Sequence, residues 1–286
     1  MSTANAPQPS QNRTWRAFRR NRLAGVGAVM VALMVTLALA APWIAPYDPL
    51  QQGIASRFTD PGGTHLLGSD FFGRDVLSRV LHGARVSLLV GIASVAIGMV
   101  LGVVLGMVAG YLRGRVETLI MRATDVMMSF PDEVFGIMVM VAIGTGLTNL
   151  IVAIGLLMTP RFIRLSHGPT LALSEREFIT AAQSMGARRW RILLRHVLPN
   201  IAGELLVMGS LWMGTAIRLE ANLSFLGLGV SPPTPTWGNM IRTGLDYLTS
   251  AWWVAVFPGI AILLAVLAFN LLGDGFRDIA DPHLAT

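Results

Sequence analysis

The feature that most constrains this chain is a series of apolar runs too long for a soluble core, separated by polar segments rich in arginine. The first run, Leu23 to Trp43, is long enough to cross about 30 Å of hydrocarbon as a helix. Val86–Ala109, Asp125–Ile143 (interrupted by Pro131), Leu150–Ile163, Asn200–Leu219 and Trp252–Leu272 follow, the last opened by an interfacial Trp252-Trp253 pair. Only helices and closed barrels satisfy their own backbone in lipid, and uninterrupted runs of this length belong to helices. The expected fold is all-α, a polytopic membrane protein with six transmembrane helices. Composition agrees: 53% of residues are hydrophobic and 13% charged, where a soluble domain carries about a quarter charged.

The expected organisation is a cytoplasmic tail over 1–22 and an N-terminal transmembrane helix over 23–43. An extracytoplasmic loop over 44–85 is punctuated by Pro46, Pro49, Pro61 and Gly62-Gly63. A membrane core over 86–275 contains a cytoplasmic loop at 174–199, and a second cytoplasmic tail covers 276–286. Basic residues, an apolar run and Ala38-Leu39-Ala40 also match a cleavable leader, but the later spans make the protein integral either way. Arginines fall mainly on one set of connections, including 13, 16, 19, 20, 22, 113, 115, 122, 161, 164, 176, 188, 189, 191, 195 and 277. The positive-inside rule then places both termini in the cytoplasm, and Trp15 and Phe18 among the first arginines suit a helix lying on anionic membrane lipid.

Several chemistries are excluded. All 22 basic residues are arginines, so the chain has no Walker A lysine and cannot by itself form a P-loop for ATP. It has no cysteine, hence no disulfide and no thiolate nucleophile or ligand. The net charge of +6 is distributed between apolar runs rather than on one soluble face, which argues against nucleic acid as a partner. His65, His82, His167, His196 and His283 lack ligand spacing, so no metal site is expected, and no catalytic triad can be assembled.

Three local patterns carry further expectations. Ser94, Gly98, Gly102, Gly106 and Gly110 form a small-residue ridge for close helix packing, either inside the subunit or against a partner. Asp132 and Glu133 follow Pro131 within an apolar span. Either one faces a translocation path and favours a cationic group, or Pro131 marks a break that leaves both acids in water. Arg218 and Glu220 are expected to snorkel to the outer interface, and Glu204 to the inner one.

The 174–199 loop is the most informative stretch. Ser174-x-x-Glu177 has the form of a capping box, so a helix is expected to start there. Phe178, Ala181, Ala182 and Met185 then form one apolar face, and Gly186 ends the helix. A second helix carries Trp190, Leu193, Leu194 and Val197 on one side and Arg188, Arg189, Arg191 and Arg195 elsewhere, and Pro199 is expected to end it. Two short amphipathic helices there suit either a membrane surface or a partner's groove.

Thr180-Ala181-Ala182-x-x-x-Gly186, with Leu198-Pro199 beyond, resembles the EAA loop of ABC-importer permeases. Blocks at 65–90, 110–131, 195–200, 223–240 and 257–282 are similar, in order, to the C-type subunits of the dipeptide/oligopeptide (peptide/nickel) permease group. The resemblance covers about residues 15 to 284 and implies the ABC-importer permease fold. It also implies a heterodimer with a second permease subunit, two ABC ATPase subunits and an extracytoplasmic substrate-binding protein, in a bacterial cytoplasmic membrane. ATP and Mg would be bound by the partner ATPases, with no cofactor on this chain and no enzyme activity of its own. The resemblance makes Glu175, Glu177, Phe178, Thr180, Ala181, Ala182, Met185, Gly186 and Arg188 the ATPase-coupling residues. Thr180 replaces the family's usual glutamate, and Asp132-Glu133 stand where apolar or small residues are usual. The rival from another class is an ion-driven transporter, which calls for inverted repeats and buried coupling carboxylates. No repeat is visible, and only Asp132 and Glu133 could serve.

Overall fold

The computed structural model describes residues 22–280, and every regular element in that range is helical. The elements are α1 (Arg22–Ile44), α2 (Val76–Leu112), α3 (Gly114–Met128), α4 (Asp132–Ile143), α5 (Leu147–Ser174), α6 (Glu177–Ser184) and α7 (Arg189–Ile192). A π-helical turn (Leu193–Val197) leads into α8 (Leu198–Phe225), followed by α9 (Trp237–Leu245) and α10 (Trp253–Ala280). Residues 1–21 of the expected 1–22 tail, with their arginines, and residues 281–286 lie outside the described residues.

Five long apolar helices can cross a bilayer, or six if the bent pair α3–α4 forms one span. The third expected span is therefore not one rod: its two parts meet at 98° around Pro131, which lacks the N–H needed to continue α3. Other elements outrun their apolar runs. α2 starts at Val76, ten residues before the expected span, because Asp75 caps it by accepting from the Ser78 amide at 2.8 Å. Hydropathy registers the bilayer-length part of a helix and misses a polar first turn buried in protein.

α2 and α5 form the centre of the bundle, and the small-residue ridge packs inside the subunit. The Ser94 hydroxyl donates to the Ile151 carbonyl at 3.1 Å. A Cβ on Gly102 would stand 2.4 Å from the Phe162 Cβ, and one on Gly106 would stand 2.0 Å from the Ser166 Oγ. Only a hydrogen fits there, and the two backbones come close enough for dispersion to hold them without a hydrophobic drive. α1 packs along α10, with Gly27 against Leu271 and Leu272. At the end of the bundle bearing α9, residues 45–75 and the connections around α9 build a polar cap. At the opposite end α6 and α7 protrude.

Candidate functional site

The α6 segment is built differently from its sequence expectation in two respects. Ser174 does not open a capping box. It is the last residue of α5, its hydroxyl donates to the Thr170 carbonyl at 2.7 Å, and Arg176 takes the extended N-cap conformation instead. A serine at the end of a continuing helix satisfies itself on its own i−4 carbonyl before it can cap the next. Pro199 does not end the following helix either. α7, the π-helical turn and α8 run as one rod over Arg189–Phe225. The Leu198 amide reaches back five residues to the Leu193 carbonyl, and the wider turn makes room for the proline ring.

Gly186 behaves as expected. Its φ of +79° lets the Ala187 amide reach the Ala182 carbonyl (3.0 Å) while its own amide reaches Gln183 (2.9 Å). Together these two bonds are a Schellman stop.

The apolar face of α6 is rotated from the expected one. Ile179 and Ala182 point into the subunit and are 0% and 4% exposed. Phe178 (45%) and Met185 (82%) are exposed, as is Ala181. Glu177, Thr180 and Arg188 are also exposed. Glu175 pairs with Arg113 at 3.0 Å, and Gln183 donates to the Tyr111 hydroxyl at 3.1 Å, so both connections tie α6 to the end of α2. Beyond Gly186, Ile192, Leu193 and Val197 are buried, whereas Trp190 and Leu194 are exposed. Sequence reasoning missed Ile179 because an eight-residue helix carries two overlapping apolar stripes, and periodicity alone does not say which faces inward.

A second constellation was not anticipated. Along one side of α5, Arg161, Arg164 and His167 recur every third residue, and each meets an acid from the bent pair. Arg161 bonds Asp132 at 2.5 Å, Arg164 bonds Asp125 at 2.6 Å, and the His167 Nε2 lies 2.8 Å from a Glu117 oxygen. In the sequence alone the two arginines read as topological signals. The three-residue spacing was visible, but the partners lie 29, 39 and 50 positions away, and only folding reveals them. Asp132 and Glu133 are both half-buried. Asp132 is matched by Arg161, and a Glu133 oxygen lies 3.5 Å from the Asn222 amide nitrogen on α8.

Glu220 corrects another expectation. It does not snorkel: it is fully buried, and the Ser87 and Ser224 hydroxyls each donate to it at 2.8 Å. Arg218 and Glu204 are exposed.

Comparison with known proteins supplies the family. Residues 102–286 match the model of the "Binding-protein-dependent transport system inner membrane component", and residues 12–61 match the "N-terminal TM domain of oligopeptide transport permease C". The chain is 43% identical over 276 residues to the di/tripeptide transport system permease protein DppC of Pseudomonas aeruginosa, covering 94% of this chain and 91% of that one. It is 44% identical over 283 residues to the glutathione transport system permease protein GsiD of Escherichia coli, covering 97% and 93%. The fold is similar to that of an inward-facing MetNI methionine ABC transporter, with a TM-score of 0.57 at 17% identity over 72% of this chain and 98% of the other. The chain belongs to the binding-protein-dependent inner-membrane permeases and is a C-type transmembrane subunit of a peptide-family ABC importer, a multi-pass transport component that leaves ATP hydrolysis to partner ATPases.

Proposed function

We propose that this subunit lines half of an alternating-access pathway for di- or oligopeptides or related small solutes, and that α6 is the element through which partner ATPases move it. The other half is a second permease subunit, and an extracytoplasmic binding protein delivers substrate to the α9 end. Both termini and α6 lie in the cytoplasm. The observation that carries the coupling role is the exposed stripe of Phe178, Ala181 and Met185 on a helix whose other face is locked into the subunit by Ile179 and Ala182. Apolar side chains flanking a small residue suit close docking in a partner's groove. Thr180, Glu177, Gly186 and Arg188 border the stripe, with Glu175 holding its base through Arg113.

The mechanical consequence follows from the connections. α6 is joined to α5 across Glu175 and Arg176, and through Gly186 to the rod that continues as α8. A displacement of α6 by closing ATPases is therefore delivered to two spans at once. Asp132 and Glu133 sit where α4 meets α5 and α8, on the part of the wall such a movement would shift.

The test exploits the absence of cysteine. Ala181→Cys or Met185→Cys in the complete complex should crosslink to an ATPase subunit, with a yield that changes on adding ATP and vanadate. An intact complex giving no ATPase adduct from either position would remove the coupling role. Uptake sensitive to vanadate, and not to a proton uncoupler, distinguishes the importer from ion-driven transport.

A further inference from the structure

We propose that Arg161 recognises the carboxylate of a substrate in transit and that Asp132 is its built-in placeholder. The proposal rests on the peptide-permease reading and deepens it.

The argument begins with the break between α3 and α4. Asp132, the first residue of α4, pairs with Arg161 near the middle of α5, so residues 129–131 lie about halfway along the bundle. Ser129, Phe130 and Pro131 are all exposed on this chain. Irregular backbone at that depth is tolerated only against protein or along a water-filled cavity, because lipid offers its amides and carbonyls no partners. The side of the subunit bearing the break therefore faces the pathway or the second permease, not hydrocarbon.

A cavity of about 140 Å³ lies beside the break. Met128, Phe135 and Leu157 contribute apolar walls, and Arg161 and Asp132 are its two charged lining residues. The pair retains side-chain exposures of 23% and 30%, so it is accessible. Asp132 is also in the first turn of α4, where the backbone amides lack intrahelical partners and the helix dipole is positive. The Arg161 guanidinium thus holds one carboxylate, at the electropositive start of α4, and the chain itself supplies that carboxylate.

An incoming carboxylate replaces Asp132 like for like. The exchange keeps the charge-assisted bond to Arg161, and the released Asp132 carboxylate, 30% exposed in the first turn of α4, turns to water and the positive end of that helix. Near-neutral exchange also suits a transit site, where tight retention would stop release. The planar fork of arginine suits this role better than an ammonium would. The other two pairs do not share the setting: neither contributes to this cavity, and Arg164 and Asp125 are half-exposed.

The experiment uses the complete complex in proteoliposomes with ATP and its binding protein. Uptake of dialanine is compared with uptake of its C-terminal amide. The binding protein's own preference is common to wild type and variants and cancels in their ratio. Arg161→Gln should lower kcat/KM for the acid by about 10-fold or more while leaving the amide within about 2-fold. The double variant Arg161→Gln/Asp132→Asn, which strands no charge, should assemble normally and show the same selective loss. Asp132→Asn alone should lower the half-saturating concentration of the acid only.

A second readout needs no binding protein. Millimolar dialanine should protect Met128→Cys from alkylation where the amide does not, and Arg161→Gln should abolish that protection. Equal effects on acid and amide, or none, overturn the proposal and leave the peptide-permease reading standing. A wild-type complex that imports neither peptide form overturns the reading itself, and the inference with it.

Discussion

The two ends of the bundle contain polar segments of similar appearance in sequence, yet they solve opposite problems. At the α9 end, buried charges satisfy one another. Asp70 accepts from Arg74 at 2.7 Å and lies 3.7 Å from Arg79, and Asp75 meets His65 at 3.1 Å while capping α2. All five side chains are less than 10% exposed. Trp253 adds a bond to the Ser69 carbonyl at 3.1 Å, which ties the cap to α10. At the α6 end, apolar side chains are exposed and the ion pair at the base is on the surface. The cap is held together from within by these bonds. On the coupling proposal, the α6 end instead leaves Phe178 and Met185 exposed for a partner. Buried, mutually satisfied charge holds a fold together, and exposed apolar side chains on an anchored helix suit docking.

The sharpest way to break this comparison is to remove Asp70. Asp70→Ala leaves Arg74 and Arg79 buried without their carboxylate and should cost about 3–5 kcal/mol, read as a large loss of folded yield and thermal stability in detergent. A cap that tolerated the change would not be held together by these charges. The bundle between the two ends should be nearly as sensitive. Gly102→Val forces side-chain atoms into Phe162 and the Thr159 carbonyl, for a loss of about 1–3 kcal/mol in the same assay.

Gly186→Ala should be milder, at about 1 kcal/mol, since it strains one residue at positive φ. It should lower ATPase-coupled transport more than it lowers the stability of the isolated subunit. The smallest effect on folding is expected at the tip of α6. Met185→Ser should change stability by less than about 0.5 kcal/mol while weakening co-purification of the ATPases. If Met185→Ser destabilised the isolated subunit as much as Asp70→Ala, the two ends would be equally closed and the docking assignment would be lost.

Particular residues show why some of this was legible and some was not. The Gly186 stop was legible because a glycine at C′ acts through its own φ and its two neighbours. The ridge from Ser94 to Gly110 was legible as a close-packing surface because its four-residue spacing is local. Its partner was not, since Phe162 and Ser166 lie about 60 positions away along the chain. Ser174 and Pro199 misled for a shared reason. Each is a strong local signal for a helix boundary, but α5 extends to end on Ser174, where it was expected to open a new helix, and a π-helical turn carries the chain helically past Pro199. Glu220 misled because burial by Ser87, on another helix, offers a carboxylate more than the water it would otherwise have to reach.

By itself the sequence determined that the chain crosses a membrane as helices, that it lacks the lysine for a P-loop, and that a short helix between two spans stops at Gly186. These follow from run length, composition and local backbone preference, which need no distant partner. The tertiary structure alone decided that Ile179 anchors α6 and Met185 is left outside, that the third span breaks at Pro131, and that Arg161 meets Asp132. Each of these is a choice among faces or partners that the local pattern leaves equivalent, and packing against residues tens of positions away removes the equivalence.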